Sequence, residues 1–259
     1  MENFCEITFC QQIGSNKRHN QDALFNGKAV FQYKLKTAEK RLENRPHFIM
    51  GVADGISNSN RSEKASKLAM QLLSQMESIS RQTIYDLQSS LSEGLAESYF
   101  GSATTFVAAE IDQITRKAKI LSVGDSRAYL IDPQGKWQQI TQDHSILSEL
   151  LTDFPDKKEE DFATIYGGVS SCLVADYSEF QDKIFYQEIE IQQGESLLLC
   201  SDGLTDGLSA EVREKIWKQY DNDKSRLTVC RKLVEKQVFY DDLSVVSCIF
   251  VNKYESLIL

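Results

Sequence analysis

Several aspartates in this sequence stand where an apolar, strand-like run stops abruptly. The pattern occurs three times: Gly51-Val52-Ala53-Asp54-Gly55, Leu121-Ser122-Val123-Gly124-Asp125, and Leu197-Leu198-Leu199-Cys200-Ser201-Asp202-Gly203. Aspartate is a poor strand residue and is costly to bury without a partner. A single such aspartate most often starts a turn or caps a helix. Three of them, together with Asp22 and the Asp241-Asp242 pair, favour carboxylates that converge and need a cation to neutralise their repulsion.

The other residue types indicate which cation this would be. Hard cations such as Mg²⁺ and Mn²⁺ prefer oxygen ligands, and a glycine after Asp54 would let a backbone carbonyl approach the ion. The chain has 3 histidines and 6 scattered cysteines without a C-x-x-C pair, which disfavours a zinc site. It also lacks the G-x-S-x-G, Walker and Rossmann patterns. Oxygen ligation of a divalent ion is therefore the favoured chemistry.

Composition sets the class of protein. The 259 residues are 41% hydrophobic and 26% charged, enough for one large domain with a sizeable core. The formal net charge of −9 argues against nucleic acid as a partner, because a phosphate backbone attracts basic surfaces. Solubility alone could also explain this acidity.

The cellular location is expected to be the cytoplasm. The cysteines lack a disulfide-type pattern and fit a reducing compartment. Residues 1–10 lack the basic start and long apolar stretch of a signal peptide. No apolar run is long enough to span a membrane, so we expect no membrane partner.

Hydrophobic periodicity predicts the elements that would position the aspartates. Strands are predicted at 4–13, 23–35, 48–53, 104–111, 119–123, 127–131, 136–140, 195–200 and 243–251. One helix is predicted to start at a capping box of Asn60 and Glu63 and to continue to Met76. Others are predicted at 84–99, from a Ser209 cap to Tyr220, and at 225–238. Strands outnumber helices, which is typical of a single mixed α and β domain.

Seven short motifs follow one another along nearly the whole chain: Gly14-Ser15-Asn16-Lys17-Arg18-His19-Asn20-Gln21-Asp22-Ala23, Val52-Ala53-Asp54-Gly55 with Glu63-Lys64-Ala65-Ser66, Gly101-Ser102-Ala103-Thr104-Thr105, Val123-Gly124-Asp125-Ser126-Arg127-Ala128-Tyr129, Thr141-Gln142-Asp143-His144-Ser145, Cys200-Ser201-Asp202-Gly203-Leu204-Thr205-Asp206, and Asp241-Asp242-Leu243-Ser244-Val245-Val246. In this order they resemble the metal-dependent PPM-type (protein phosphatase 2C) serine/threonine phosphatases in their compact bacterial form.

The resemblance implies an α+β fold, a four-layer α-β-β-α sandwich of two mainly antiparallel sheets flanked by helices. It implies one phosphatase domain over 1–259, with a flap insertion around 146–171. The implied enzyme is a protein serine/threonine phosphatase. It would hydrolyse phosphoserine and phosphothreonine with a water activated at a binuclear centre of Mn²⁺ or Mg²⁺, without a phosphoenzyme and with room for a third ion.

The resemblance also assigns roles to residues. The catalytic aspartates would be Asp54, Asp202 and Asp241. Asp54 would bridge two metals, which Asp202 and Asp241 on one side and the Gly55 carbonyl on the other would complete. Asp22 would hold metal-bound water, and Asp125 would support a third metal together with Asp202. Lys17 and Arg18 would bind phosphate.

Four departures from the family pattern bear on activity. Lys17 stands where arginine is usual, Gln21 where many members have glutamate, and Asp242 where asparagine is usual, while 56–59 lack the common glycine pair. These changes predict an altered phosphate grip or metal affinity. They leave open a catalytically weak module that binds a phosphorylated partner, and a hydrolase of small phosphate esters. The expected partner is a phosphoprotein that is the target of a serine/threonine kinase in signalling, and the expected state is a monomer.

Overall fold

The computed structural model describes residues 3–158, 161, 168–180 and 183–252. Its strands are β1 (Asn3–Gln12), β2 (Ala23–Phe25), β3 (Val30–Phe31), β4 (Glu39–Glu43), β5 (His47–Ala53), β6 (Ala103–Thr104), β7 (Phe106–Asp112), β8 (Lys117–Val123), β9 (Arg127–Ile131), β10 (Trp137–Gln139), β11 (Leu173–Val174), β12 (Phe185–Glu190), β13 (Ser196–Cys200) and β14 (Leu243–Asn252). Its helices are α1 (Ser62–Leu73), α2 (Arg81–Tyr99), α3 (Ile146–Asp153), α4 (Asp202–Gly207), α5 (Ala210–Gln219) and α6 (Asp223–Glu235).

The strands form two six-stranded sheets. One has the order β10-β9-β13-β14-β1-β4 and the other the order β12-β8-β7-β5-β2-β3, with antiparallel pairing of neighbours. Helices α1 and α2 pack on the outer face of the second sheet, and α5 and α6 on that of the first. The predicted four-layer α-β-β-α sandwich is confirmed.

Alternation along each central strand divides its side chains between two cores. In β5, Phe48, Met50 and Val52 enter the core between the sheets, whereas Ile49 and Ala53 pack toward α1 and α2. Both faces of such a strand are covered, so the strand is apolar along its length. This is why the central strands were recognisable in the sequence.

Strand register brings the ends of the central strands together. Ala23 pairs with Ala53, so Asp22 and Asp54 lie opposite each other, one residue beyond the paired ends of β2 and β5 in the second sheet. Cys200 pairs with Val245, which places the start of α4 next to the start of β14 in the first sheet. A hydrogen bond of 2.7 Å from Ser201 Oγ to Asp22 Oδ2 joins these strand ends of the first sheet to those of the second. The segments that carry Asp22, Asp54, Asp202 and Asp241 therefore meet at one end of the sandwich, which we call the mouth.

The structure corrects several predicted boundaries. The strand predicted at 23–35 is two short strands around the turn at 26–29, where Asn26 accepts bonds from two backbone N–H groups. The capping box predicted at Asn60 and Glu63 is wrong: the residue before α1 is Arg61, which has left-handed geometry and makes no side-chain cap bond. The helix also ends at Leu73 and not at Met76. A capping box occurs instead at Ser80 before α2.

Three strands are missing from the sequence prediction: β4, β11 and β12. β11 has only two residues. β4 and β12 lie at or near sheet edges, and most of their side chains reach solvent. Side chains on both faces of such an edge strand can reach solvent, so its sequence lacks the apolar alternation by which strands are predicted. The helix α3 falls within the flap predicted at 146–171, of which 159, 160 and 162–167 lie outside the described residues. Among the helices that the structure describes, none has the length and apolar character needed to cross a membrane.

Candidate metal centre

Asp22 is fully buried at the start of β2. Its Oδ2 accepts a 2.7 Å hydrogen bond from Ser201 Oγ, and Ser201 Oγ in turn accepts one of 3.0 Å from the backbone N–H of Ser244. Its other oxygen, Oδ1, has no hydrogen-bond partner among the described residues. A buried acceptor without a partner is energetically costly, so this oxygen is a candidate for binding a ligand.

Asp54 is held by its backbone. Its N–H donates to Thr105 Oγ1 at 3.0 Å, and its carbonyl accepts from the Thr105 N–H and from Thr104 Oγ1, both at 2.8 Å. These bonds explain why the strand predicted at 104–111 is interrupted between β6 and β7. Thr105 leaves the ladder to fix the loop that carries Asp54, whose side chain lies partly buried at the mouth.

Asp202 begins α4 directly beside the start of β14. A Cβ atom on the next residue, Gly203, would lie 1.9 Å from the Asp242 carbonyl oxygen, so only glycine allows the two backbones to approach this closely. The Asp202 Oδ1 atom is buried and has no hydrogen-bond partner in the described part of the chain. It is the second unpartnered carboxylate oxygen at the mouth.

The aspartates destabilise one another's charged forms. Burial and the charge of Asp242 raise the pKa of Asp22 to about 8. Burial and the charges of Asp22 and Asp202 raise the pKa of Asp54 well above its ordinary value. Burial followed by the charge of Asp202 raises the pKa of Asp125 to about 7, and burial also raises that of Asp202. The shared cause is desolvation plus like charge, which a bound cation would reverse.

These features fit a hard divalent cation. The donors are carboxylate oxygens, two of them are buried without partners, and none of Asp22, Asp54 and Asp202 forms an ion pair with a described lysine or arginine. Within the described residues, no three or more histidine, cysteine, aspartate or glutamate side chains are already arranged so that they could hold a metal ion. The carboxylates are thus gathered, and a cation would have to draw them into its coordination geometry.

Asp241 differs from the other predicted ligands because its charge is already paired. Its side chain is 44% exposed and forms an ion pair with Lys17. The same Lys17 Nζ lies 3.0 Å from Asp242 Oδ2. Burial by itself would lower the pKa of Lys17, but its bonds with Asp241 and Asp242 raise it. Lys17 is therefore a fixed cation at the mouth.

Gly55 and Gln21 lie beside each other next to Asp54 and Asp22. The Gly55 N–H donates to the Gln21 carbonyl at 3.1 Å, and a Cβ atom on Gly55 would lie 2.7 Å from that oxygen. The Gln21 side chain turns toward α1, where its Nε2 donates to Ser62 Oγ at 2.7 Å. Arg18 is exposed. Arg127 forms a forked ion pair with Asp143 at 2.5–3.0 Å.

Two contributors were missed from the sequence. Ser201 links Asp22 to β14, and Asp242, which has no assigned role in the family pattern, is buried and hydrogen-bonded through both carboxylate oxygens. Ser201 could have been noticed as a polar residue between an apolar strand and Asp202. No sequence signal tells which member of the Asp241-Asp242 pair turns inward, because that depends on the distant loop at 14–21.

The chain is similar to known proteins in sequence and in fold. The model of the family described as "Protein phosphatase 2C" matches residues 15–231. The serine/threonine phosphatase stp of Listeria monocytogenes is 32% identical over 221 residues, which cover 79% of this chain and 80% of that protein. The solved structure of Stp1 from Staphylococcus aureus has a TM-score of 0.74 at 21% identity, covering 95% of each chain. That of the PstP catalytic domain with 2 manganese ions has a TM-score of 0.71 at 20% identity, covering 96% of this chain and 100% of that one.

Proposed function

This chain belongs to the protein phosphatase 2C family, and from that membership we propose that it is an enzyme that removes phosphate from phosphoserine and phosphothreonine in proteins. The observation that carries the proposal is the group of buried and partly buried aspartates that repel one another at the mouth, with the unpartnered oxygens of Asp22 and Asp202. A phosphatase of this kind needs such a site to hold cations.

The proposed ligands are those of the family pattern. Asp54 would contact two ions, Asp202 and Asp241 would complete one site, and the Gly55 carbonyl would serve the other. Asp22 would hold water, and Asp125 would support a third ion. When bound, divalent cations supply Lewis-acid activation of a water nucleophile at neutral pH and neutralise charge on the phosphoryl oxygens. The pKa shifts of Asp22 and Asp125 support this assignment, because cations would restore the ionised forms.

The chain's own cations would act on the substrate. Lys17 Nζ lies between Asp241 and Asp242 at the mouth, and Arg18 is exposed next to it. We propose that both supply positive charge for the incoming phosphate. Lysine does so as a point charge without the bidentate fork of arginine.

Further aspects belong to the same proposal. Manganese is a candidate ion because the PstP structure contains 2 manganese ions, and magnesium shares its preference for oxygen. We propose one phosphatase domain over 1–259, a flap around 146–171, a cytoplasmic monomer, and substrates phosphorylated by a serine/threonine kinase. A binding module with little activity is not favoured, since the curated relatives are named phosphatases.

The test is turnover of a phosphothreonine peptide with Mn²⁺, with Mg²⁺ and with EDTA. Asp54→Asn and Asp202→Asn should each lower kcat/KM by at least about 10³-fold, because the cations supply several kcal/mol of transition-state stabilisation. Asp86→Asn, an exposed site on α2, is the matched control and should retain full activity. Normal turnover in either mouth variant, or turnover that is indifferent to EDTA, would overturn the proposal. A kcat/KM that is higher for small esters than for the peptide would point to a different substrate class.

A further inference from the structure

Two of the departures from the family pattern, Lys17 and Asp242, meet at one carboxylate, which also accepts backbone bonds from the loop at 14–21. Asp242 is 1% exposed. Its Oδ1 accepts a 2.7 Å bond from the Gly14 N–H, and its Oδ2 accepts from the Gln21 N–H at 2.9 Å and from Lys17 Nζ at 3.0 Å. Positions 228 and 221 residues away in sequence are thus tied to one side chain. The departures at 17 and 242 are therefore linked by a direct ion pair.

The chemistry of this network requires both an aspartate and a cation. Three donors converge on Asp242, so an asparagine there would turn its NH₂ group toward one of them and lose the bond. A buried carboxylate in turn needs a nearby positive charge, and Lys17 is the residue that supplies it. Asp242 and Lys17 therefore depend on each other.

The outer end of Lys17 contacts Asp241. The same ammonium group thus has a buried anchor, Asp242, and a partly exposed partner, Asp241, whose side chain is 44% accessible. A divalent cation that binds Asp241 must share Asp241 with Lys17 or displace Lys17 from it. It is also repelled by the Lys17 ammonium, which its ion pair with Asp242 holds in place. Resting on the function proposed above, we propose that Asp242 is a positioning residue that anchors Lys17 as a tethered cation, which competes with the divalent ion for Asp241.

The test is calorimetric titration of the metal-free full chain with MnCl₂. Lys17→Met removes the competing charge and keeps most of the side-chain length, and it should tighten Mn²⁺ binding by about three- to tenfold. Lys17→Arg keeps the charge and should bind Mn²⁺ as the wild type does. Arg18→Met is the matched control: it removes a neighbouring exposed charge that makes no contact with Asp241 among the described residues, and it should change the affinity by less than about twofold.

A second variant guards against misfolding. Lys17→Met leaves Asp242 buried without its cation, so Lys17→Met/Asp242→Asn, which removes both charges, should bind Mn²⁺ as tightly as Lys17→Met. Thermal unfolding of both variants shows whether each is folded. Affinity equal to or weaker than that of the wild type in both variants would overturn this inference alone, provided that the wild type binds Mn²⁺ and Asp54→Asn does not. A wild-type chain that binds no Mn²⁺ would overturn the inference together with the proposed function.

Discussion

Two buried acidic regions of this molecule have opposite electrostatics. At the mouth, Asp22 is fully buried without an ion pair to a described lysine or arginine, and burial together with the charge of Asp242 raises its pKa to about 8. At the end of β4, Glu43 is 2% exposed and contacts Arg41 and Arg45 at 2.6 Å. Burial would raise the pKa of Glu43, but the bonds from the two arginines lower it to about 2. Burial is similar, and the presence of a counter-charge decides the sign.

The difference separates structural from functional carboxylates. Around Glu43 the two arginines also donate to the carbonyl oxygens of Asn26 and Gly27, so the cluster fastens the edge strand β4 to the turn after β2. Here the protein supplies its own cations. At the mouth it gathers carboxylates without contacting cations, and Asp241-Asp242 with Lys17 is intermediate. Acidic residues that a protein leaves unneutralised are those for which an external cation is expected.

The largest effect on stability is expected from breaking the paired region. Glu43→Gln leaves the partly buried Arg41 without its carboxylate and should lower the free energy of unfolding by about 3 kcal/mol. Urea denaturation at pH 7 would measure it. Glu188→Gln is the control, since its ion pair with Lys117 is about half exposed on both sides and should cost less than about 1 kcal/mol. Equal effects of the two changes would mean that Glu43 is not the fastening that its contacts indicate.

The next effect should distinguish the two regions by their response to metal. At about 100 times its Kd, Mn²⁺ should raise the free energy of unfolding by about 2.7 kcal/mol, because it binds only the folded chain. The gain should persist in Glu43→Gln, because Glu43 is not among the proposed metal ligands. It should vanish in Asp54→Asn. Thermal unfolding with and without Mn²⁺ measures both, and a gain of similar size in Asp54→Asn would place the ion elsewhere.

The sequence reveals the mouth better than it reveals the rest, for a physical reason. Apolar runs that stop at Asp54 and Asp202 mark central strands, which are covered on both faces and so carry a strong pattern. The antiparallel register then brings such strand ends together. The motif order adds the family, and with it the layered fold.

What the sequence did not predict depends on contacts between distant segments. The edge strands β4 and β12 are partly exposed and lack a clear apolar pattern, and the inward turn of Asp242 depends on the loop at 14–21. The Glu43 cluster did leave a trace, because Arg41, Glu43 and Arg45 alternate and so project to one face of an extended chain. That trace is weak without knowledge that the segment is a strand.

The most discriminating effect, and the smallest for a single step of the variable, is the pH dependence of the metal-free protein. Asp22 has its pKa raised from 3.8 to about 8, so between these values the folded chain retains a proton that the unfolded chain has released. Stability in EDTA should therefore fall as the pH rises from about 5 to about 8. Glu43 has the opposite sign and a separate window, because its stabilising charge is lost only as the pH falls from 4.5 to about 2.

Asp22→Asn isolates the first of these windows. It keeps an oxygen to accept the Ser201 bond and removes the titration, so the loss of stability between pH 5 and pH 8 should shrink by about 1.4 kcal/mol for each pH unit in this window. Some dependence should persist, because Asp125 titrates in the same direction. Urea denaturation in EDTA at both pH values, with Asp86→Asn as the exposed control, measures the change. If the dependence of stability on pH is the same in Asp22→Asn as in the wild type, Asp22 stays ionised in the folded chain. The proposed contrast between Asp22 and Glu43 would then be wrong.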